Sequence, residues 1–138
     1  MAITLETNSR NVACNAVVDQ CEAGAAPGKL KVRAGGTLLI TFTLEDPAFE
    51  DAGISGAGIA RAFGQDGTNP VSAGNPLIAL ATAAGVADNY QVTDSNDVLY
   101  WSGTVTATGG GGDLELNNIN LALGQEVHVE GWQHAAPA

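Results

Sequence analysis

Two runs of alternating polarity on either side of a glycine pair constrain this chain more than any other feature. In residues 29–34, Leu30, Val32 and Ala34 alternate with Lys29, Lys31 and Arg33. In residues 37–44, Leu38, Ile40, Phe42 and Leu44 alternate with Thr37, Leu39, Thr41 and Thr43. Successive side chains of a strand point to opposite faces, so a period of two marks a half-buried strand. Gly35-Gly36 between the runs predicts a tight hairpin. A second hairpin is predicted over 88–106. Tyr90 and Val92 alternate with polar neighbours, Asp94-Ser95-Asn96-Asp97 is a turn by composition, and Leu99, Trp101, Gly103, Val105 and Ala107 share one face. Weaker strand patterns lie near 57–63, 77–83, 114–123 and 127–132. Strands spaced by turns predict a mostly β fold, an antiparallel β-sandwich or jelly-roll-like domain.

Only residues 8–23 break this period convincingly, and they predict one N-terminal α-helix. Asn8 or Ser9 is placed to cap its start, and Val12, Ala13, Ala16, Val17, Gln20 and Cys21 recur at helical spacing, with Cys14 and Val18 widening the face. Gly24 and Pro27-Gly28 end it. Residues 2–6 are a short strand or an arm. The 138 residues suit a single domain, 1–138, with residues 1–7 as an arm and 131–138 as a C-terminal tail. The four glycines 109–112 read as a flexible link.

Charge narrows the function classes. Five Lys and Arg face fifteen Asp and Glu, a formal net of −10. Nucleic-acid binding needs cations to neutralise phosphates, and the one basic cluster, Lys29 to Arg33, is the outer face of a strand. No nucleic-acid or membrane partner is expected. No stretch reaches the ~20 apolar residues of a transmembrane helix, and no basic region followed by an apolar run opens the chain. Cys14 and Cys21, on one helix, would stand ~10 Å apart at 1.5 Å rise per residue, beyond the ~7 Å that a disulfide spans. Buried thiols fit folding in a reducing cytoplasm.

The residues that could carry chemistry form no recognisable set. Glu45, Asp46, Glu50 and Asp51 surround a loop without the spacing of a calcium loop. His128 is expected on the outer face of a strand and His134 near the C-terminus, and their spacing matches no zinc pattern. Ser55 stands in no complete Gly-x-Ser-x-Gly element of a nucleophile elbow. No catalytic residue, metal or cofactor is expected. Trp101, Tyr100 and Trp132 could stack on sugars, although packing is the commoner use of such rings.

Four stretches resemble small virion proteins of tailed phages and prophages. They are Met1-Ala2-Ile3-Thr4-Leu5 with the helix around Arg10, Ala13-Cys14 and Ala16-Val17-Val18-Asp19; Thr41-Phe42-Thr43-Leu44 with Asp46-Pro47-Ala48-Phe49; Tyr90-Gln91-Val92 with Asp94-Ser95 and Gly103-Thr104-Val105; and Gly109 to Leu114 with Leu121 and Gly124-Gln125. Members of that family usually carry a longer segment between the first two strands and a C-terminal strand rich in Thr and Val, where this chain has Gly35-Gly36 and Val127 to Trp132. The resemblance implies a virion structural role. The leading expectation is a capsid decoration (cement) protein, folded in the host cytoplasm and bound to the major capsid protein on the outer head surface as an oligomer, a trimer. Ile3, Leu5, Arg10, Trp101, Trp132 and His134 are its expected contact residues. A tail or fibre-associated protein and a host-glycan-binding module are the alternatives.

Overall fold

The computed structural model describes residues 6–135, so the expected contacts Ile3 and Leu5 lie outside the described residues. Helix α1 spans Thr7–Val18 and runs on into a 3-10 turn, Asp19–Glu22. Ten strands follow: β1 (Lys29–Ala34), β2 (Thr37–Thr43), β3 (Ile59–Arg61), β4 (Leu77–Leu80), β5 (Gly85–Val86), β6 (Asn89–Thr93), β7 (Leu99–Ala107), β8 (Leu114–Leu116), β9 (Asn120–Leu121) and β10 (Glu126–Ala135). The mostly β class with one N-terminal helix is as expected. Among the described residues no helix is long and apolar enough to cross a membrane.

Both predicted hairpins form. β1 pairs with β2 and β6 with β7, all antiparallel, and β1 also pairs with β6. The ladder continues through β8 and β10 to β3, and β4 adds to β10. The sheet curls until the chain after β4 meets β2, where the Leu39 carbonyl accepts hydrogen bonds from the N–H groups of Thr82 (2.8 Å) and Ala83 (3.3 Å). The result is a barrel-like layer around one apolar core that includes Leu30, Val32, Ile40, Phe42, Val92, Leu116, Val127 and Val129. The two-stranded β5–β9 ribbon lies over the β1–β2 turn, with Gly85 against Leu39 and Ala34.

Three local expectations are corrected. Leu38 was expected inward and Leu39 outward, but Val32 pairs with Ile40 and Arg33 with Leu38, so Leu39 is an extra, bulged residue. A bulge shifts the alternation; Leu39 is fully buried and Leu38 is 42 % exposed. Along α1 and the 3-10 turn after it, the buried stripe is Cys14, Val18 and Cys21, and Val12 is 68 % exposed. The stripe is set by the helix's polar anchors. Asn15 Oδ1 accepts from the Ala52 N–H (2.8 Å), Asn11 Oδ1 from the Gly58 N–H (2.7 Å), and Glu22 from the Ala48 N–H. Neither Asn8 nor Ser9 caps the helix, because it begins at Thr7 with Glu6 as its uncapped flanking residue.

The glycine run 109–112 is a fixed reversal, not a flexible link. β7 and β8 are parallel neighbours, with Val105 opposite Leu114 and Ala107 opposite Leu116. Parallel neighbours usually need a crossover of a dozen or more residues, but here residues 108–113 double straight back. Gly109 and Gly111 take φ of 87° and 81°, which a side chain would strain. Their N–H groups both donate to Glu115 Oε2 at 3.2 Å, and the Gly112 N–H donates to Thr106 Oγ1 at 3.0 Å.

Candidate functional site at the aromatic cluster and its cleft

β10 brings together residues that the sequence scatters. Gly131 sits at an irregularity in the β8 pairing, after which Trp132 pairs with Leu114, while Gln133, His134 and Ala135 pair with Arg61, Ala60 and Ile59 of β3. Residues 131–135, expected as part of a tail, therefore continue a strand. Trp132 was expected as an external contact but is only 3 % exposed. Its ring lies 4.7 Å from that of Phe49 and 5.7 Å from that of Tyr90, both edge-on, and 6.4 Å from that of Trp101. Burying so large an apolar ring stabilises more than display on a tail would.

Trp101 and His134 form the outer part of this cluster. Both are half-buried, with ring centroids 5.2 Å apart. The His134 carbonyl accepts from Cys14 Sγ at 3.4 Å, tying β10 to α1. Arg10, one helical turn before Cys14, is half-buried, and its Nε is buried without a hydrogen-bond partner. Of the expected contact residues, the structure thus joins Trp101, Trp132 and His134 in one cluster. Sequence reasoning missed Phe49 and Tyr90 as members. Tyr90 stands in an alternating run that marked it as inward-facing, while Phe49 follows Asp46-Pro47 in an irregular segment with no period to flag it.

The electrostatics of the cluster keep it neutral. Burial pushes the Tyr90 hydroxyl above its usual range; the Trp132 N–H opposes this, Asp113 adds to it, and the Trp101 N–H opposes it again. Both indole N–H groups are buried without a well-formed hydrogen bond. Burial holds the His134 imidazole below its usual range, against the pull of Asp113, so it is uncharged at neutral pH. The Cys21 thiol is pushed up to about 12, first by burial and then by Glu22 and Asp19. A thiol so protonated is a poor nucleophile.

Beside Trp132 opens a cleft of about 390 Å³, lined by Arg61, Gly112, Asp113, Glu115, Trp132 and Gln133. Most of its charge is already engaged. Arg61 grips the buried Glu50 with two bonds, Nε to Oε2 at 2.8 Å and Nη2 to Oε1 at 3.0 Å. Glu115 holds the glycine reversal, as above. What remains is a polar rim over an indole edge, suited to a hydroxyl-bearing group or a partner's side chain. Among the described residues no group of three or more His, Cys, Asp or Glu could hold a metal ion.

The other candidates also resolve into structural roles. Asp94 is buried in the β6–β7 turn and accepts from the N–H groups of Asn96 and Val98 and from the Tyr100 hydroxyl. Asp97, at φ 66°, receives Lys29 Nζ at 3.1 Å and Lys31 Nζ at 2.8 Å. His128 Nε2 meets Glu126 Oε1 at 2.9 Å. Tyr100 and Trp101 are successive strand residues on opposite faces and Trp132 is buried, so the three rings form no shared stacking platform. No family model matches this chain, and neither a curated protein nor a solved structure matches it.

Proposed function

We propose that this is a non-catalytic virion structural protein, a decoration (cement) protein that binds the outside of a tailed-phage head and stabilises the shell through contacts with the major capsid protein. In this reading it acts as an oligomer, a trimer, assembled in the host cytoplasm. The observation that carries the reading is how the side chains are apportioned. Among the described residues nine large apolar side chains are exposed, while the thiols, the tyrosine of the cluster and the carboxylate of Glu50 are buried. Exposed apolar surface on an otherwise acidic protein is material for packing against another protein. The resemblance to phage virion proteins in segments 41–49, 90–105 and 109–125 points the same way. Arg10, Trp101 and His134 are proposed contacts at the α1–β10 edge. Cryo-microscopy of the virion tests this: density on the outer head surface is expected, and density confined to the tail overturns it in favour of a tail or fibre role.

The half-exposed Trp101 ring near the polar cleft favours one second reading, a module for host-surface glycans. A glycan array read with the natural chain and with Trp101→Ala tests it; binding lost in the variant is expected, and no binding by the natural chain removes it.

A further inference from the structure

The charge of this chain is unevenly placed. Segments 34–44, 67–87 and 116–125 contain no Asp, Glu, Lys, Arg or His, although the chain has fifteen acidic and five basic residues. The fold sets parts of all three side by side. Thr82 and Ala83 donate to the Leu39 carbonyl. The Gly124 N–H donates to the Ala81 carbonyl at 2.8 Å, and the Ala81 N–H to the Gln125 carbonyl at 2.8 Å. Gly85 pairs with Leu121 and Val86 with Asn120. These segments also hold five of the exposed large apolar side chains: Leu38 (42 %), Ile78 (42 %), Leu80 (60 %), Val86 (54 %) and Leu123 (74 %). Ionisable groups stand around them: the Arg33 guanidinium lies at the β1–β2 turn, where Nη2 donates to the Gly36 carbonyl at 2.8 Å. Glu126 stands opposite Leu80 with its carboxylate against His128 Nε2, and Asp88 accepts from the Gly35 N–H.

An apolar core with a polar rim is the anatomy of a protein–protein interface. The charge pattern says which protein. A basic partner is recognised by carboxylates, which this chain has in excess everywhere but here. A second copy carries the same net −10, and two such molecules repel except where neither presents charge. We infer that the uncharged face built from β4, β5 and the 122–125 turn, beside Leu38 of β2, is the surface on which one copy of this chain packs against another. The proposed function expects self-association and puts its named contacts at the α1–β10 edge; the inference rests on that reading only for the expectation and assigns the contact between copies to the other end, beside the N-terminal half of β10.

Sedimentation velocity of the purified chain over a concentration series tests it. The natural chain is expected to exceed its monomer mass of 13.9 kDa. Added salt is expected to strengthen association, because it screens the net repulsion and weakens no ion pair in the contact. Leu80→Glu and, separately, Leu123→Glu are each expected to raise the dissociation constant at least tenfold, with the circular dichroism of the natural chain. Both sites are exposed, and the second is in a turn, so one variant checks the other. Val12→Glu on α1 is expected to leave association unchanged. A natural chain that stays monomeric, association that weakens with salt, or association lost in Val12→Glu but kept in both leucine variants overturns the inference. Should a monomeric natural chain bind phage heads and lose that binding in Leu80→Glu, the face belongs to the shell protein; the proposed function then stands and this inference falls.

Discussion

The two halves of β10 meet at the irregularity around Gly131 and end in different surroundings. The C-terminal half carries Trp132 into a cluster with Phe49, Tyr90 and Trp101, beside β3 and α1. The N-terminal half pairs with β4, beyond which the core is covered by Ala81, Gly85, Ala87 and Leu121. Aromatic rings bury ~150–250 Å² each, so a few of them close one end of the molecule. Small side chains cover less, and at that other end Leu80, Val86 and Leu123 stay outside. One end is self-sufficient, and the other is left with apolar surface.

The largest expected effect tests that asymmetry directly. Trp132→Ala removes the ring at the centre of the cluster and is expected to cost about 3–5 kcal/mol, with Leu80→Ala costing less than about 0.5 kcal/mol. Urea unfolding of both variants measures the ratio. Equal costs would break the comparison.

Next come two glycines. A Cβ on Gly103 would stand 2.6–2.7 Å from the Tyr90 ring and hydroxyl, whereas one on Gly36 would have nothing nearer than Arg33 at 3.9 Å. Gly103→Ala is therefore expected to destabilise by about 1–3 kcal/mol through overpacking. Gly36→Ala is expected to be neutral or to stabilise by about 0.4–1 kcal/mol, by restricting the unfolded chain. Thermal unfolding separates the two, and a tolerated Gly103→Ala would mean that Tyr90 is looser than its packing implies.

Acid sharpens the comparison further, because the β6–β7 turn is held by two carboxylates, Asp94 and Asp97, whereas segments 67–87 and 116–125 contain no ionisable side chain. Burial pushes Asp94 up, but the Val98 N–H, the Tyr100 hydroxyl and the Asn96 N–H together hold it below its usual range. Lys31 and Lys29 hold Asp97 down. Both folded values lie below the unfolded one, so the stability they contribute is present above about pH 4 and is lost as pH falls through the folded values. Glu22, raised by burial, has the opposite sign and offsets part of that loss. Hydrogen exchange on acidification is expected to open amides 94–98 first, while the Thr82 amide at the uncharged end keeps its protection. Simultaneous loss at both places would show one cooperative unit with no privileged end.

Legibility followed how local the cause of each structure is. Both antiparallel hairpins could be read, since alternation and a turn lie within about twenty residues of each other, as in 29–44 and 89–107. The parallel β7–β8 step could not, because Gly109–Gly112 reads as a linker until Thr106 and Glu115 are seen gripping its backbone. Leu38 and Leu39 were exchanged because a one-residue bulge leaves no mark in composition. The aromatic cluster was half legible. Trp101, Trp132 and His134 drew notice as residue types, but a sequence does not say that Trp132 faces inward or that Phe49 crosses to meet it. The uncharged segments were present in the sequence all along and gained meaning only when the fold put them on one face.

The smallest expected effect is also the most discriminating for that face. In dilute solution Leu80→Glu should cost no more than about 1 kcal/mol, because the side chain is 60 % exposed and the only new strain is the like charge of Glu126 opposite it. Association that favours the folded state makes the melting temperature rise with protein concentration by mass action. The natural chain is therefore expected to melt higher as it is concentrated, and Leu80→Glu to melt at one temperature throughout. Calorimetry at several concentrations reads both. A melting temperature independent of concentration in the natural chain would leave Leu80 an ordinary exposed leucine, and the N-terminal half of β10 would then be only a less tightly packed end.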